Sequence, residues 1–179
     1  PVGGITMKHE LEPFYIEPLS WKNLRSALNL LNRVFPRESQ GGERPFVFFT
    51  ATLCSVGRLL LKWKGYPFVS YWVARDSENG AVVGTVGLYT KADDDEAYWG
   101  GWMCVDPKAR GKSLGMALSY RAMVEATKRG DRKYARLYTS TDPNEAAAQI
   151  MYDQMGLEVY REEDEPGTGY KRLYRQIEL

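Results

Sequence analysis

The stretch Val105-Asp106-Pro107-Lys108-Ala109-Arg110-Gly111-Lys112-Ser113-Leu114-Gly115 joins two different periodicities. Before it, Tyr98 to Val105 is an apolar run that reads as a strand and is stopped by Asp106-Pro107. After it, Leu114, Leu118, Ala122 and Ala126 form one i, i+4 row of a helix that Gly130 closes. A strand, a small-residue loop and a helix in that order offer the free N–H groups of the first helical turn to an anion such as a phosphate. Arg110 and Lys112 add positive charge beside the same helix end, which would favour a pyrophosphate. Taken alone, the loop also reads as a tight strand-to-helix turn, so its surroundings must decide.

Two nucleotide-binding patterns do not fit. Gly111-Lys112-Ser113 ends like a P-loop, but G-x-x-x-x-G-K-[ST] requires glycine where this chain has Asp106. The dinucleotide fingerprint G-x-G-x-x-G does not occur.

Working outward, Tyr134 to Thr139 reads as a strand and Pro143 to Met155 as an alanine-rich helix stopped at Gly156. Leu157 to Glu162 and Tyr170 to Ile177 read as two final strands separated by Pro166-Gly167-Thr168-Gly169. On the other side, Gly100 and Gly101 within the apolar strand predict a bulge or the close approach of another group. Without a bulge, strict alternation would put Trp99 and Trp102 on opposite faces. The acidic run Asp93 to Glu96 reads as a turn, and Asn79-Gly80 as the turn of a hairpin between Phe68 to Ala74 and Val82 to Tyr89. A short strand at Phe14 to Ile16, a helix from Ser20 to Val34, a loop over Pro36 to Pro45 and an apolar helix from Phe46 to Trp63 complete the chain. The sum is an α/β fold with a mixed, mostly antiparallel sheet of about seven strands and about four helices. It is a single domain across residues 1–179, with a core over about 11–178.

Composition removes several classes of function. Lys and Arg number 24 against 23 Asp and Glu, so no overall field favours nucleic acid or an anionic membrane. The only histidine is His9, which disfavours Ser-His-Asp and Cys-His nucleophiles and multi-histidine metal sites; no metal is expected. Cys54 and Cys104 are far apart and suit a reducing compartment, hence a cytoplasmic expectation. Phe46 to Leu61 is shorter than the roughly 20 residues of a bilayer span and is interrupted by Arg58, and no secretory signal is visible.

In this setting the loop resembles that of the GCN5-related N-acetyltransferases, the GNAT superfamily. Their acetyl-CoA loop follows a strand ending V-x-P and reads Q/R-x-x-G-x-G/A. Here Val105-Asp106-Pro107 precedes Arg110 to Gly115, with Ser113 in place of the middle glycine. The family's later helix, N-x-x-A-x-x-x-Y-x-x-x-G-F, is approached by Asn144, Ala148, Tyr152, Gly156 and Leu157. The resemblance implies a GNAT fold in which the strands bracketing the loop splay apart. It implies acetyl-CoA as acyl donor, with pantetheine on the backbone of Met103, Cys104 and Val105. The pyrophosphate would then rest on the N–H groups of Gly111, Lys112, Ser113, Leu114, Gly115 and Met116, beside Arg110, with Asn144 also near the cofactor.

The resemblance further implies direct transfer of the acetyl group to an amine, with Tyr152 as the acid for the departing thiolate and Cys104 as a wall residue. Many relatives carry a glutamate base on the strand before the loop, but Trp99 to Val105 holds no carboxylate, so Glu96, or Asp95, becomes the candidate relay. The acceptor pocket is expected to involve Phe46 to Trp63 and Tyr66, with Asp93 to Glu96 facing a cationic amine. The acceptor itself would be a primary amine of a small molecule or a protein, with no nucleic-acid or membrane partner. A homodimer could form through an edge strand such as Tyr170 to Ile177. Two other readings stay open: a longer-chain acyltransferase of the same fold, and a non-catalytic acyl-CoA-binding regulator.

Overall fold

Strand β2 (Val69–Asp76) alternates with period two: Tyr71 and Val73 are buried on one face, Trp72 and Ala74 on the other. A strand buried on both sides must lie inside a sheet covered twice. The computed structural model describes residues 13–35 and 44–179 and shows that arrangement. Around β2 stand β1 (Phe14–Pro18), β3 (Val82–Lys91), β4 (Asp94–Val105), β5 (Tyr134–Ser140), β6 (Glu158–Asp164) and β7 (Lys171–Glu178). They form one seven-stranded sheet in the order β1-β2-β3-β4-β5-β7-β6. Every neighbouring pair is antiparallel except β4 and β5, which run parallel.

One face is covered by α1 (Trp21–Val34), α2 (Pro45–Leu53) and α3 (Ser55–Trp63), whose Leu30, Leu31, Phe48, Phe49 and Leu61 pack with Tyr71, Tyr89 and Trp99. The other face is covered by α4 (Leu114–Arg129), with Leu114, Leu118, Ala122 and Ala126 all buried as the i, i+4 row requires. Beside it α5 (Ala146–Gln154) packs Tyr152 onto Met155 and Leu157.

The sequence expectations hold in outline and change in four places. The apolar segment from Phe46 to Trp63 is two helices, giving five in all among the described residues. The chain breaks at Cys54, which is extended at φ −136° and accepts from the Gly57 amide through Sγ at 3.3 Å. A Cβ on Gly57 would lie 3.0 Å from the Ala51 backbone, so α2 and α3 meet through glycine. Asp94 to Glu96 belong to β4 and not to a turn. The Asp94 carboxylate accepts from Trp99 Nε1 at 2.8 Å and pairs with Arg136 at 2.9 Å, so these acids tie β4 to β5. Pro143–Glu145 form a 3₁₀ turn ahead of α5. Finally, β7 lies between β5 and β6 and is paired on both sides, so it has no free edge to offer a second copy. The expected loop at Pro36 to Pro45 falls mostly on residues 36–43, outside the described residues, as does His9.

The paired glycines of β4 serve both purposes the sequence suggested. Tyr71, Gly87 and Gly101 are consecutive partners across β2, β3 and β4. The Tyr71 ring lies over this lane: a Cβ on Gly87 would fall 2.0 Å from its Cε1, and one on Gly101 would fall 3.1 Å from its hydroxyl. One residue on, the register between β3 and β4 shifts and Trp102 takes φ +46°. That is a bulge with a bulky residue in left-handed conformation, at a cost of roughly 1–2 kcal/mol. Thr85 Oγ1 holds it by donating to the Trp102 carbonyl at 2.7 Å. The bulge resets the alternation, so Trp102 packs against the same cluster as Trp99.

Gly87→Ala is therefore expected to lower the unfolding free energy by about 2–3 kcal/mol through overpacking against Tyr71. The corresponding fall in Tm is roughly 4–12 °C by scanning calorimetry. An unchanged Tm would show that the tyrosine lane is not close-packed.

Candidate active site

β4 and β5 pair only at Ala97↔Tyr134, Tyr98↔Ala135 and Trp99↔Arg136. Beyond Trp99, β4 stays with β3 through Val105, while β5 stays with β7 through Ser140. The two strands diverge, and the gap becomes a cleft of about 530 Å³. Val34, Phe35 and Trp102, from the α1 face, line it together with Met116, Ala148 and Met151 from the α4 and α5 face. The cleft is thus a passage through the sheet, and the β4 backbone facing it has no strand to pair with. Backbone amides in that position call for a hydrogen-bonding occupant, as an extended ligand with amide groups would be.

On the α4 side the passage ends at the loop. Gly111 has φ +76° and Ser113 φ +57°, two left-handed residues that turn the chain into the helix. The first bond within α4 runs from the Ala117 amide to the Ser113 carbonyl at 3.0 Å. The amides of Leu114, Gly115 and Met116 therefore have no intrahelical acceptor and stand at the positive end of the helix dipole. Gly115 lines the cleft, and a Cβ there would already meet Met151 Sδ at 3.2 Å. The cradle fits a phosphate because its floor is backbone. Arg110 Nε donates to the Val105 carbonyl at 3.2 Å and lies beside it.

Tyr152 lines the cleft from α5, with 6% of its surface exposed. Burial raises its phenol well above the ordinary 10, the negative Glu145 adds to the rise, and Arg175 opposes it. A buried arginine fixes the helix that carries it. Arg175, from β7, donates to Gln149 Oε1 at 2.7 Å, to Asp153 Oδ1 at 2.6 Å and to the Leu157 carbonyl at 2.8 Å. From the other end, Glu145 accepts from the Thr139 hydroxyl, from the Ser140 amide at 2.9 Å and from the Ser140 hydroxyl at 3.1 Å. The end of β5 and the start of α5 are thus locked together across the cleft mouth.

Of the residues singled out by sequence, Met103, Cys104, Val105, Arg110, Gly111, Ser113, Leu114, Gly115, Met116, Asn144 and Tyr152 line this one cleft. Asn144 binds Asp142 Oδ1 through both its backbone N–H and its side chain, at 2.8 and 2.9 Å. Other singled-out residues are not brought there. Lys112 does not line the cleft and sets its ammonium 5.5 Å from the Phe14 ring. Glu96 is 64% exposed and 3.6 Å from Arg136 at the far end of β4. Gly100, the nearest β4 residue of the cleft, is four residues along, about 13 Å of strand. The expected acceptor walls, Phe46 to Trp63 and Tyr66, also do not line it, and neither do Asp93 to Glu96. The sequence reading missed Val34, Phe35, Tyr138 and Glu145, which reach the cleft through sheet order and helix docking.

Cys104 is buried, and desolvation pushes its thiol up to about 11, against a hydrogen bond to Thr85 at 3.3 Å that works the other way. At neutral pH it is a thiol, not a thiolate nucleophile. Among the described residues no cluster of His, Cys, Asp and Glu could hold a metal, and no helix is long and apolar enough to cross a membrane.

Comparison with known proteins agrees with this geometry. Residues 67–159 match the model of the "Acetyltransferase (GNAT) domain". No curated protein matches. Among solved structures, the chain is similar to yncA of Salmonella typhimurium, described as an acetyltransferase and solved with its cofactor acetyl-CoA. That match has a TM-score of 0.70 at 16% identity and covers 93% of this chain and 94% of that one. NAA60 of Arabidopsis thaliana, in complex with a bisubstrate analogue, gives 0.68 at 14% identity over 92% and 97%. An acetyltransferase of the GNAT family from Streptococcus pneumoniae gives 0.67 at 16% over 93% and 99%. At such identities the structures speak for the fold alone. The family model, however, spans more than half of the chain across the splayed strands, the anion cradle and the tyrosine helix, and the protein belongs to the GNAT acetyltransferases.

Proposed function

We propose that the protein is an acetyl-CoA-dependent N-acetyltransferase that moves an acetyl group directly from the thioester to a primary amine. The observation that carries this reading is the passage itself: a phosphate cradle on one face of the sheet, unpaired β4 backbone in the middle and an open end on the other face. The Gly111–Met116 amides and Arg110 would hold the pyrophosphate, and the Met103–Val105 backbone the pantetheine amides. The comparison structure solved with acetyl-CoA supports the choice of donor.

In the transfer, the amine nitrogen attacks the thioester carbon, the C–N bond forms and the C–S bond breaks. An ammonium acceptor first gives one proton to solvent; a second proton leaves nitrogen as the amide forms, and the sulfur gains one. Tyr152, which lines the cleft, would serve the sulfur. Its phenol, held above the ordinary range by burial, is protonated at every working pH. A thiol is the stronger acid, so Tyr152 acts by donating a hydrogen bond to the sulfur as charge develops, with proton delivery coupled to loss of the proton on nitrogen. The buried Cys104 thiol supports direct attack over an acyl-cysteine intermediate.

Tyr152→Phe should lower kcat at least tenfold while the Kd for acetyl-CoA, measured by calorimetry, changes less than twofold. Equal turnover would remove Tyr152 from the chemistry. Gly115→Glu should abolish acetyl-CoA binding with the fold retained, because it fills the cradle and sets a carboxylate against the phosphates. Unaltered binding in the folded variant would place the donor elsewhere.

A further inference from the structure

The two ends of the passage differ in chemistry. One is built of backbone amides and Arg110. The other, on the α1 face, presents Val34 and Phe35 from the end of α1, the bulged Trp102 from β4, and Tyr138 from β5. Phe35 meets Trp102 edge to face at 5.9 Å, and Tyr138 continues the wall toward Tyr174 at 6.3 Å. Among the described lining residues of the whole passage the only carboxylate is Glu145, and it is engaged by Thr139 and Ser140. The acid groups expected to draw in a cation, Asp93 to Glu96, are at the other end of β4.

Trp102 is the informative residue. Its left-handed backbone is one that glycine adopts freely, and two glycines precede it, so a bulge alone would not call for an indole here. The strain is retained at the cleft wall, with the carbonyl clamped by Thr85 and the ring against Phe35. Strain held in place beside a site is a pointer to function.

Resting on the proposed N-acetyl transfer, we infer that the acceptor is a primary amine one or two carbons from an aromatic or similarly flat apolar group, which Trp102, Phe35, Val34 and Tyr138 grip. The same wall assists the chemistry. An apolar surrounding disfavours an ammonium and lowers its pKa, so an amine held there enters as the neutral nucleophile without drawing on a carboxylate of the described wall. A polyamine would carry a further ammonium into this apolar end, and a lysine side chain offers no flat apolar group for the wall to grip.

The test is thiol release from acetyl-CoA with 2-phenylethylamine, ethylamine, spermidine and a lysine-containing peptide, on the full chain and on Trp102→Ala and Trp102→Phe. The expected result is a kcat/KM for 2-phenylethylamine at least tenfold above each of the other three. That preference should fall at least fivefold in Trp102→Ala and be largely kept in Trp102→Phe, with the Kd for acetyl-CoA within twofold throughout. A purely structural Trp102 would depress all amines alike and leave the ratio unchanged. Preference for spermidine or the peptide, or a ratio indifferent to Trp102, overturns the inference while acetyl transfer stands. Turnover of none of the amines also overturns it, and acetyl-CoA titration then tells whether the donor site has failed as well.

Discussion

The structure depends on β4 having two partners that part company. Along one side β4 is antiparallel to β3 for nearly its whole length; along the other it is parallel to β5 for three residues and then alone. Strand backbone left without a neighbouring strand is costly, because each N–H and C=O turned to the gap forgoes a ladder hydrogen bond. The fold accepts that cost in one place. It offsets it by fastening the two strands firmly where they do meet, through Asp94, Arg136 and Trp99. Desolvation works against the Asp94 charge, yet the Arg136 and Trp99 hydrogen bonds outweigh it and keep its carboxyl below the usual range. The start of β4 is thus anchored, and its end is free to receive a ligand.

The other parts of the site follow from this divergence. β5 is kept on its own course by β7, and β7 in turn holds α5 through the buried Arg175. α5 carries Tyr152 into the gap. β4 is turned by the Trp102 bulge, which the Tyr71, Gly87 and Gly101 lane makes room for one residue earlier. α4 starts where β4 ends, so its unpaired amides close the passage on one face while the end of α1 stands over the other. On the proposed function, a donor entering from the cradle and an acceptor entering from the aromatic side would meet at the gap, and no enzyme-bound intermediate would be needed.

Much of this was legible in the chain, for identifiable reasons. The strand-to-helix turn from Arg110 to Gly115 and the row of Leu114, Leu118, Ala122 and Ala126 are local patterns, and local rules place both elements where the structure has them. Gly100-Gly101 signalled both the bulge and the close approach, and the structure shows both, in adjacent residues. The break at Cys54 was hidden because apolar residues run on either side of it, and its extended backbone answers a tertiary contact between Gly57 and Ala51. In the sequence the acidic run at the start of β4 reads as a solvated turn because its partners, Arg136 and Arg132, lie some 40 residues away in another strand and the turn before it. Strand β7 reads as an edge in the sequence because order along the chain does not give order in the sheet. The aromatic end of the passage escaped for the same reason: Phe35, Trp102 and Tyr138 come from three separate elements.

On the proposed function, the acyl donor lies where β4 parts from β5. Amide hydrogen exchange with and without acetyl-CoA tests it most directly. Added protection is expected in peptides covering Met103–Val105 and Gly111–Met116, with none in β6. No added protection in the first two segments, or protection confined to other parts of the sheet, would contradict it.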